Sequence, residues 1–436
     1  MDKALTRPTT TPARTSSAAA VGASPRTAFR PRTPLLSAAA AVTPAAVAAG
    51  QVALERSRGQ RVRRLVDTAG DVVRQQGKAR RPRMGSLVLG PGGRLTWRGT
   101  AAPPAPGPSA AVVAPLAMAT CDMDRPLGLG VTPFPLPLHL GHECVGRVMA
   151  VGAEVATVAV GDVVAVPFQI SCGTCAACRA ELTGSCRAVP PISMYGFGLA
   201  GGAWGGAFSE LVAVPYADAM LVPLPAGVEP AAVASVGDTL SDAYRHLAPH
   251  LERVRRDPDG PRIIIVGATE PEGPFSPSVP FYASQLAQAL VPEAEVLMVD
   301  ARAWVRAAGA AIGVEVLTLL GLRGRNAPLV IDCSASPRGL SLAVRATAPD
   351  GVCSCAGNLH ASLRIPAALM FGRSITLAIG RSHIRTVMPE VLDLVAAGRI
   401  HPEEVTTTVA GFEDAPDALR EHLFSESVKT VLVRAA

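Results

Sequence analysis

Four cysteines lie within fifteen residues, in the run Cys172-Gly-Thr-Cys175-Ala-Ala-Cys178 followed by seven residues and Cys186. Two thiolates of a CxxC turn can reach one metal ion, and four thiolates complete the tetrahedral coordination of Zn²⁺. Such a site keeps no open position for a substrate, so it stabilises the fold and performs no chemistry. A redox pair or a disulfide-bonded lobe is the alternative, but a redox CxxC needs fewer cysteines. We therefore predict a structural zinc site.

The composition describes a globular chain with a distinct first segment. Of the 436 residues, 49% are hydrophobic and 17% are charged, which suffices for an ample core and for two or three domains. The net charge of +6 is unevenly divided: residues 1–83 hold 16 basic and 4 acidic residues, whereas the remainder holds 25 and 31. The mildly acidic body gives no electrostatic case for nucleic acid binding. The other five cysteines are scattered, which favours a reducing cytoplasm.

The first segment is of low complexity. Residues 1–50 are mainly Ala, Pro, Thr, Ser and Arg, so we expect residues 1–83 to form a disordered basic extension. Residues 51–81 have the spacing of a basic amphipathic helix that can touch a membrane or an acidic partner. A solvated tail without a partner is the simpler interpretation, and a transit peptide is a third. No stretch has the composition of a membrane span.

Two different patterns follow this segment. From Met84 to about Asp162, short apolar runs are separated by Gly and Pro, and a hairpin is predicted across a Pro-Gly-Gly turn. Many short strands of this kind indicate a small barrel-like β domain. From about Leu240, apolar strands alternate with helices at βαβ spacing, which indicates a doubly wound parallel sheet. The strands predicted there span residues 262–267, 295–300, 328–333 and 351–357, and the helices span residues 281–290, 301–313, 340–348 and 389–397.

The run CxxCxxCx7C, downstream of a Gly-His-Glu motif and followed by a strand-rich half, resembles the zinc-dependent medium-chain alcohol dehydrogenases. The resemblance extends from about Met84 to the end of the sequence. It implies an α/β fold with a GroES-like β-barrel catalytic domain over residues 84–243 and a Rossmann doubly wound parallel-sheet domain over residues 244–380. Residues 381–436 are expected to return to the catalytic domain. Because the run from Met84 resembles the family's first strand, we hypothesise that the functional protein starts near Met84.

In this family the four-cysteine lobe is structural, and a second zinc ion performs catalysis. The resemblance implies three ligands for that ion: Cys121 opens a Cys-x-x-Asp motif, His142 lies in Gly-His-Glu, and Asp238 stands where relatives have Cys or Asp. One thiolate, one imidazole and one carboxylate leave the fourth zinc position open for substrate. Taken singly, these residues are explained as well by a core cysteine, a loop histidine and a helix N-cap. Their order around the cysteine lobe favours the joint metal site.

The resemblance also implies supporting residues and a reaction. Glu143 is a transient zinc ligand in relatives, and Asp124 is expected to hydrogen-bond the free ring nitrogen of His142 and fix its tautomer. Zinc lowers the pKa of a bound alcohol, whose hydride then passes to a nicotinamide ring, or polarises an aldehyde or ketone for the reverse step. The implied protein is a cytoplasmic homodimer or homotetramer with two zinc ions per chain. It acts on a small molecule, with no nucleic acid or membrane partner.

One departure from the family concerns the proton relay. Relatives often have Ser or Thr two residues after the first zinc ligand, and this chain has Met123 there. A thioether cannot carry a proton, so Ser241, Asp122 or water is needed in its place. An activity that does not require the relay also remains open.

A second departure concerns the nucleotide loop. Of the GxGxxG pattern that admits a pyrophosphate, only Gly267 is well placed, and Glu270 and Glu272 would repel phosphate. Asp300 follows Gly267 by 33 residues, more than the usual roughly 20. It is nevertheless positioned to accept a ribose 2′-hydroxyl, which favours NAD over NADP. Lys429 matches a family position that reaches the pyrophosphate.

These departures keep two other functions open. One is a zinc-binding, dehydrogenase-like protein with weak or lost NAD binding that serves as a ligand-binding or interaction protein. The other is association with nucleic acid or a membrane through the basic tail. The substrate cannot be read from the sequence: four aromatic residues suit an apolar pocket, but core packing explains them equally. They are Phe168, Tyr195, Phe197 and Trp204.

Overall fold

The structure is a computed structural model that describes residues 83–357 and 364–434. The predictions of a disordered extension, an amphipathic helix and a transit peptide fall on residues 1–82, outside the described residues. Within the described residues no helix is long and apolar enough to cross a membrane.

The described residues form strands and helices in two successive patterns. The strands are β1 Arg83–Gly90, β2 Arg94–Ala101, β3 Ala111–Ala119, β4 Leu138–His139, β5 Glu143–Val151, β6 Val163–Val166, β7 Val212–Val214, β8 Val222–Pro223, β9 Arg262–Val266, β10 Glu295–Val299, β11 Val316–Leu317, β12 Ala327–Asp332, β13 Thr347–Cys355, β14 Thr376–Ile379, β15 Thr408–Gly411 and β16 Thr430–Val433. The α-helices are Asp124–Gly128, Ala176–Arg179, Ala217–Met220, Thr239–Leu247, Leu251–Arg255, Ser278–Leu290, Ala303–Ala311, Pro337–Ala346, Ala367–Arg373, Ile384–Ala396 and Ala415–Phe424. Short 3₁₀ turns occupy Pro91–Gly93, Thr183–Ser185, Gly198–Gly201, Ala248–His250, Pro402–Val405 and Phe412–Asp414.

The first half of the chain, together with the last two strands, forms two sheets that are antiparallel except where β15 and β16 pair in parallel. One is a three-stranded sheet in the order β2-β1-β4. The predicted hairpin across Pro91–Gly93 is confirmed, and Gly92 and Gly93 both have φ of 71°, a left-handed conformation that glycine adopts without strain. The other is a seven-stranded sheet along the path β15-β16-β3-β5-β6-β8, with β7 added beside β3. Apolar side chains from both sheets bury one shared core, as a barrel-like β domain requires.

The second half contains a six-stranded, wholly parallel sheet in the order β11-β10-β9-β12-β13-β14. Strand β9 shows why both faces are covered. Ile263 and Ile265 pack with the helices Thr239–Leu247 and Ser278–Leu290, whereas Ile264 faces the opposite core with Pro337–Ala346. All three isoleucines are fully buried, which is worth about 1.5–3 kcal/mol for each side chain. The predicted doubly wound sheet is confirmed.

Several helix limits differ from those predicted. The helix expected from residue 281 begins at Ser278, after Pro277, because the prediction counted only the apolar residues. The helix expected over residues 389–397 begins at Ile384 and keeps Pro389 in its second turn, which apolar periodicity did not signal.

The end of the chain joins the first sheet. Strand β16 pairs antiparallel to β3, with Val431 opposite Ala119 and Leu432 opposite Met118. This pairing brings Lys429 close to the segment that follows β3. The predicted domain limits at residues 84, 244 and 381 stay a prediction.

Candidate metal centres and nucleotide site

Strand register brings two of the predicted catalytic ligands together. Ala119 of β3 pairs with Glu143 of β5. Cys121 follows β3 and His142 precedes β5, so both lie at the same edge of the sheet. Asp238 reaches this edge as the residue before the helix Thr239–Leu247.

The ligand atoms of Cys121, His142, Glu143 and Asp238 all lie within 4.8 Å of one another. The Sγ of Cys121 and the Nε2 of His142 are each 3.2 Å from Oδ2 of Asp238. The histidine–aspartate separation is an ion-pair distance, but neither ring nitrogen of this buried histidine has a hydrogen-bond partner. A buried nitrogen without a partner is costly unless it binds a group such as a metal ion. With one thiolate, one imidazole and one carboxylate, the set fits zinc.

The charges around Cys121 also favour a cation. Burial raises the pKa of its thiol well above the ordinary value, and the carboxylates of four acidic residues raise it further. These are Asp238, Glu143, Asp124 and Asp122. A divalent ion bound among them would supply the missing positive charge and hold the sulfur as a thiolate.

Glu143 is engaged by a buried lysine. Its Oε2 accepts from Nζ of Lys429 at 2.7 Å, and both side chains are fully buried. Its Oε1 accepts from the backbone N of Thr239 at 3.1 Å and from the Thr239 hydroxyl at 2.7 Å. Burial raises the pKa of Glu143, and the ammonium of Lys429 opposes the shift and favours the ionised carboxylate. The carboxylate thereby holds the backbone next to Asp238.

Lys429, which is predicted to reach a pyrophosphate, contacts other residues of the chain in this structure, and its contact with a pyrophosphate stays a prediction. The Nζ of Lys429 donates to Glu143, to the Thr239 hydroxyl at 2.7 Å and to the Ser278 hydroxyl at 3.5 Å. It also lies 5.6 Å from the centre of the Tyr282 ring. The pairing of β16 with β3 places the ammonium inside the protein beside the candidate zinc ligands.

The expected hydrogen bond between Asp124 and His142 is absent. Oδ2 of Asp124 accepts from the backbone N of Cys121 at 2.9 Å, while its Oδ1 and the Nδ1 of His142 have no hydrogen-bond partner. The reason is local: Asp124 begins a helix, and its carboxylate turns back to the preceding backbone. Its contact in this structure is therefore with the segment that carries Cys121.

The buried pair predicts a large stability effect. We expect Lys429→Met to lower the free energy of unfolding by about 3–5 kcal/mol, because Glu143 is left buried without a counter-charge. Denaturant unfolding followed by far-UV circular dichroism measures the change. The double variant Lys429→Met/Glu143→Gln is the control and should recover part of the loss. Equal stability of the single variant and the wild type would contradict the prediction.

The four cysteines of the lobe also converge. Their sulfur atoms lie within 4.8 Å of one another, and none forms a disulfide. Backbone N–H groups point at the sulfurs: Cys175 N lies 3.3 Å from Sγ of Cys172, and Arg187 N lies 3.4 Å from Sγ of Cys175. Burial raises the pKa of Cys175, but the hydrogen bond from Arg187 and others outweigh it and lower the pKa to about 6. The pKa of Cys172 is lowered as well, whereas burial raises the pKa of Cys178 and of Cys186. Four converging sulfurs, none of them in a disulfide, fit a closed zinc site, and a bound ion would hold all four as thiolates.

The proton relay has no free side chain among the predicted candidates. The Ser241 hydroxyl is fully buried and donates to the carbonyl of Val236 at 2.6 Å. Both oxygens of Asp122 accept hydrogen bonds from the start of the helix Ser278–Leu290. Of the three predicted proton carriers, water is therefore the one that is not already hydrogen-bonded within the chain.

The aromatic residues divide into two groups. The rings of Phe197 and Phe168 lie 4.9 and 5.8 Å from the His142 ring, so they border the candidate metal centre. The hydroxyl of Tyr195 donates to the carbonyl of Ala213 at 2.7 Å within the core. Trp204 packs at the margin of the same core.

The predicted ribose acceptor is engaged within the chain. Asp300 is fully buried, and its Oδ1 accepts from the backbone N and Nε of Arg302, each at 2.9 Å. Its Oδ2 accepts from Nη2 of Arg302 at 2.8 Å and from Ala268 N at 3.1 Å. A Cβ on Gly267 would come within 2.5 Å of the same oxygen. Both oxygens of Asp300 are thus hydrogen-bonded within the chain, and its contact with a ribose hydroxyl stays a prediction.

The contact between Asp122 and the start of the helix Ser278–Leu290 was not predicted from the sequence. Oδ1 of Asp122 accepts from the backbone N and hydroxyl of Ser278, and its Oδ2 accepts from Val279 N at 3.0 Å. In dinucleotide-binding folds the corresponding helix N-terminus binds pyrophosphate. The sequence carries one weak signal: Pro277 before this helix has no side chain that can cap it.

A small cleft lies at the end of the parallel sheet where a nicotinamide dinucleotide would bind. Its lining includes Gly267, Phe275, Arg302 and Cys333. The helix N-terminus and the ribose acceptor at this end of the sheet are both satisfied by the chain itself.

Comparison with known proteins agrees with this geometry. The family model described as "Alcohol dehydrogenase GroES-like domain" matches residues 107–226. A "Probable zinc-binding alcohol dehydrogenase" of Mycobacterium tuberculosis is 28% identical over 335 residues, which are 76% of this chain and 83% of the relative. The glutathione-independent formaldehyde dehydrogenase of Pseudomonas aeruginosa is 42% identical over 108 residues, 24% of this chain and 27% of that enzyme.

A solved structure extends the similarity to nearly the whole described chain. The alcohol dehydrogenase from Thermus sp. ATN1 superposes with a TM-score of 0.71 at 28% identity. The match covers 81% of this chain and 100% of that enzyme.

Proposed function

Since the chain belongs to the zinc-type medium-chain dehydrogenase/reductase family, we propose that it is a zinc-dependent oxidoreductase acting on an alcohol or the corresponding aldehyde or ketone. One observation carries the proposal. Cys121, His142 and Asp238, which lie far apart in the sequence, present a thiol, an imidazole and a carboxylate within 4.8 Å of one another. Neither ring nitrogen of the buried His142 has a hydrogen-bond partner, which supports a metal ion as the common partner of these three side chains.

The side chains around the metal centre would have three different roles: binding zinc, positioning a ligand and contacting the substrate. Cys121, His142 and Asp238 would hold zinc, which when bound polarises the substrate oxygen and lowers the pKa of an alcohol. Glu143 positions Asp238 through its hydrogen bond to Thr239 N. The rings of Phe168 and Phe197 exclude water beside His142 and offer apolar contact to the carbon part of a substrate.

A nicotinamide dinucleotide is the proposed hydride partner, on the precedent of this family. The preference for NAD over NADP depended on a free Asp300, and the contact with Arg302 removes that ground. We therefore propose no preference between them. Dimeric or tetrameric assembly, a cytoplasmic location and two zinc ions per chain stay predictions.

A second function is favoured by the nucleotide site. Asp122 at the helix N-terminus and Arg302 at Asp300 agree with a zinc-binding relative whose coenzyme affinity is weak or lost. Such a protein would still hold both metal ions and bind a ligand at the candidate catalytic zinc.

One experiment separates the two functions. The purified full chain is analysed for zinc and assayed with a panel of alcohols and aldehydes, with NAD and NADP each at millimolar concentration. Two zinc ions per chain and turnover of any panel member support the oxidoreductase. Two zinc ions without turnover or coenzyme binding favour the second function. A single zinc ion per chain that is retained in Cys121→Ser would contradict the catalytic metal centre itself.

A further inference from the structure

The helix Ser278–Leu290 is occupied at the end where a dinucleotide would bind. We propose that Asp122 competes with the pyrophosphate of nicotinamide dinucleotides for this helix N-terminus and is the residue that sets coenzyme affinity. The inference rests on the proposed function in one respect only, namely that this sheet end is the coenzyme site.

Asp122 uses the groups that a phosphate would use. Both of its oxygens accept hydrogen bonds, one from the N–H and hydroxyl of Ser278 and the other from Val279 N. Free N–H groups at a helix N-terminus attract anions, and a carboxylate satisfies them as a phosphate oxygen does. A pyrophosphate would have to displace the carboxylate and then remain near its negative charge.

Hydrogen bonds within the chain also hold the loop after Gly267, at the ribose end of the site. Nη1 of Arg302 donates to the carbonyl of Phe275 at 2.6 Å, which ties the loop after Gly267 to the residue that also pairs with Asp300. The hydroxyl of Ser276 in this loop lies 3.2 Å from Nε2 of the buried His422. Internal side chains thus occupy both the pyrophosphate end and the ribose end.

Asp122 differs from Arg302 in its consequence for the coenzyme. Every nicotinamide dinucleotide carries the pyrophosphate, whereas NAD and NADP differ at the ribose. Removal of the Asp122 carboxylate should therefore strengthen the binding of NADH and NADPH to a similar extent. Removal of the Arg302 side chain would change the affinities for the two coenzymes by different amounts.

The test is a binding titration that does not depend on turnover. The zinc-loaded full chain and its variants are titrated with NADH and NADPH, and coenzyme fluorescence and calorimetry give the dissociation constants. Asp122→Asn keeps a helix cap but removes the charge, and Asp122→Gly removes the side chain. We expect dissociation constants about tenfold lower or more for both coenzymes, lowest in Asp122→Gly.

A matched control removes the same charge elsewhere. Asp218 also accepts from two backbone N–H groups, those of Ala156 and Thr157, at an exposed loop. Asp218→Asn should leave both dissociation constants unchanged. Circular dichroism and zinc content establish that each variant is folded.

Three results would overturn the inference. The first is a folded Asp122→Gly variant that binds both coenzymes no more tightly than the wild type; if that variant does not fold, Asp122→Asn decides. The second is equal tightening by Asp218→Asn. The third is a wild-type complex with NADH in which Asp122 still contacts Ser278. Tighter binding by the Asp122 variants without any alcohol turnover would uphold the inference and contradict the proposed function.

Discussion

Replacement of Cys121 by serine is expected to remove one zinc ion per chain and to lower alcohol turnover by about a thousandfold or more. The thiolate is the softest of the three candidate ligands, and a serine hydroxyl at neutral pH is a poor substitute for it. Four carboxylates surround the sulfur, so its loss leaves their repulsion without the ion that balances it. Metal analysis by mass spectrometry and initial-rate assays measure the two effects.

Cys144→Ser is the matched control for this variant. Cys144 is also buried and follows Glu143 in β5, but it does not belong to the group of candidate ligands. It should keep both zinc ions and most of the activity. A Cys121→Ser protein that retains two zinc ions would contradict the assignment of the metal centre.

Replacement of Cys175 by serine should produce the second large effect, on stability. We expect the loss of the other zinc ion and a fall of roughly 10 °C or more in the midpoint of thermal unfolding. The lobe is tied to the helix Ile384–Ala396: Gly184 N donates to Nδ1 of His383 at 3.1 Å, and the Thr386 hydroxyl donates to the carbonyl of Glu181 at 2.9 Å. Disorder in the lobe would therefore weaken contacts beyond it.

Differential scanning calorimetry and zinc analysis provide the measurement for Cys175→Ser. Cys333→Ser is the control, because Cys333 is a half-buried thiol outside the lobe. It should change the midpoint by much less than Cys175→Ser. If both variants keep all their zinc and unfold at the same temperature, the lobe does not hold a structural metal ion.

Local patterns in the sequence predicted much of the fold. The apolar run at Ile263–Ile265 predicted a strand buried on both faces, and the Pro-Gly-Gly turn predicted the hairpin of β1 and β2. Each signal depends on neighbouring residues and on a short periodicity. Helix limits near Ser278 and Pro389 were missed because apolar spacing does not report how the ends of a helix are satisfied.

The same difference between local patterns and tertiary contacts applies to the candidate site. The metal ligands could be proposed because short motifs carry them, and the structure brings them together. The buried contacts around them could not be proposed: Glu143 and Lys429 are 286 residues apart, and Asp122 and Ser278 are 156 apart. Asp300 and Arg302 are only two residues apart, but their pairing depends on how the chain turns after β10. Such pairs are set by tertiary packing.

The position of β16 has a consequence for how the protein is made. A ribosome synthesises Cys121, His142 and Asp238 well before it reaches Lys429 and the strand that pairs with β3. Until that strand emerges, the nascent chain carries a cluster of acidic groups with neither the lysine nor the neighbouring strand in place. The seven-stranded sheet should therefore reach its native state only after the parallel sheet has been translated, although most of its strands are encoded first.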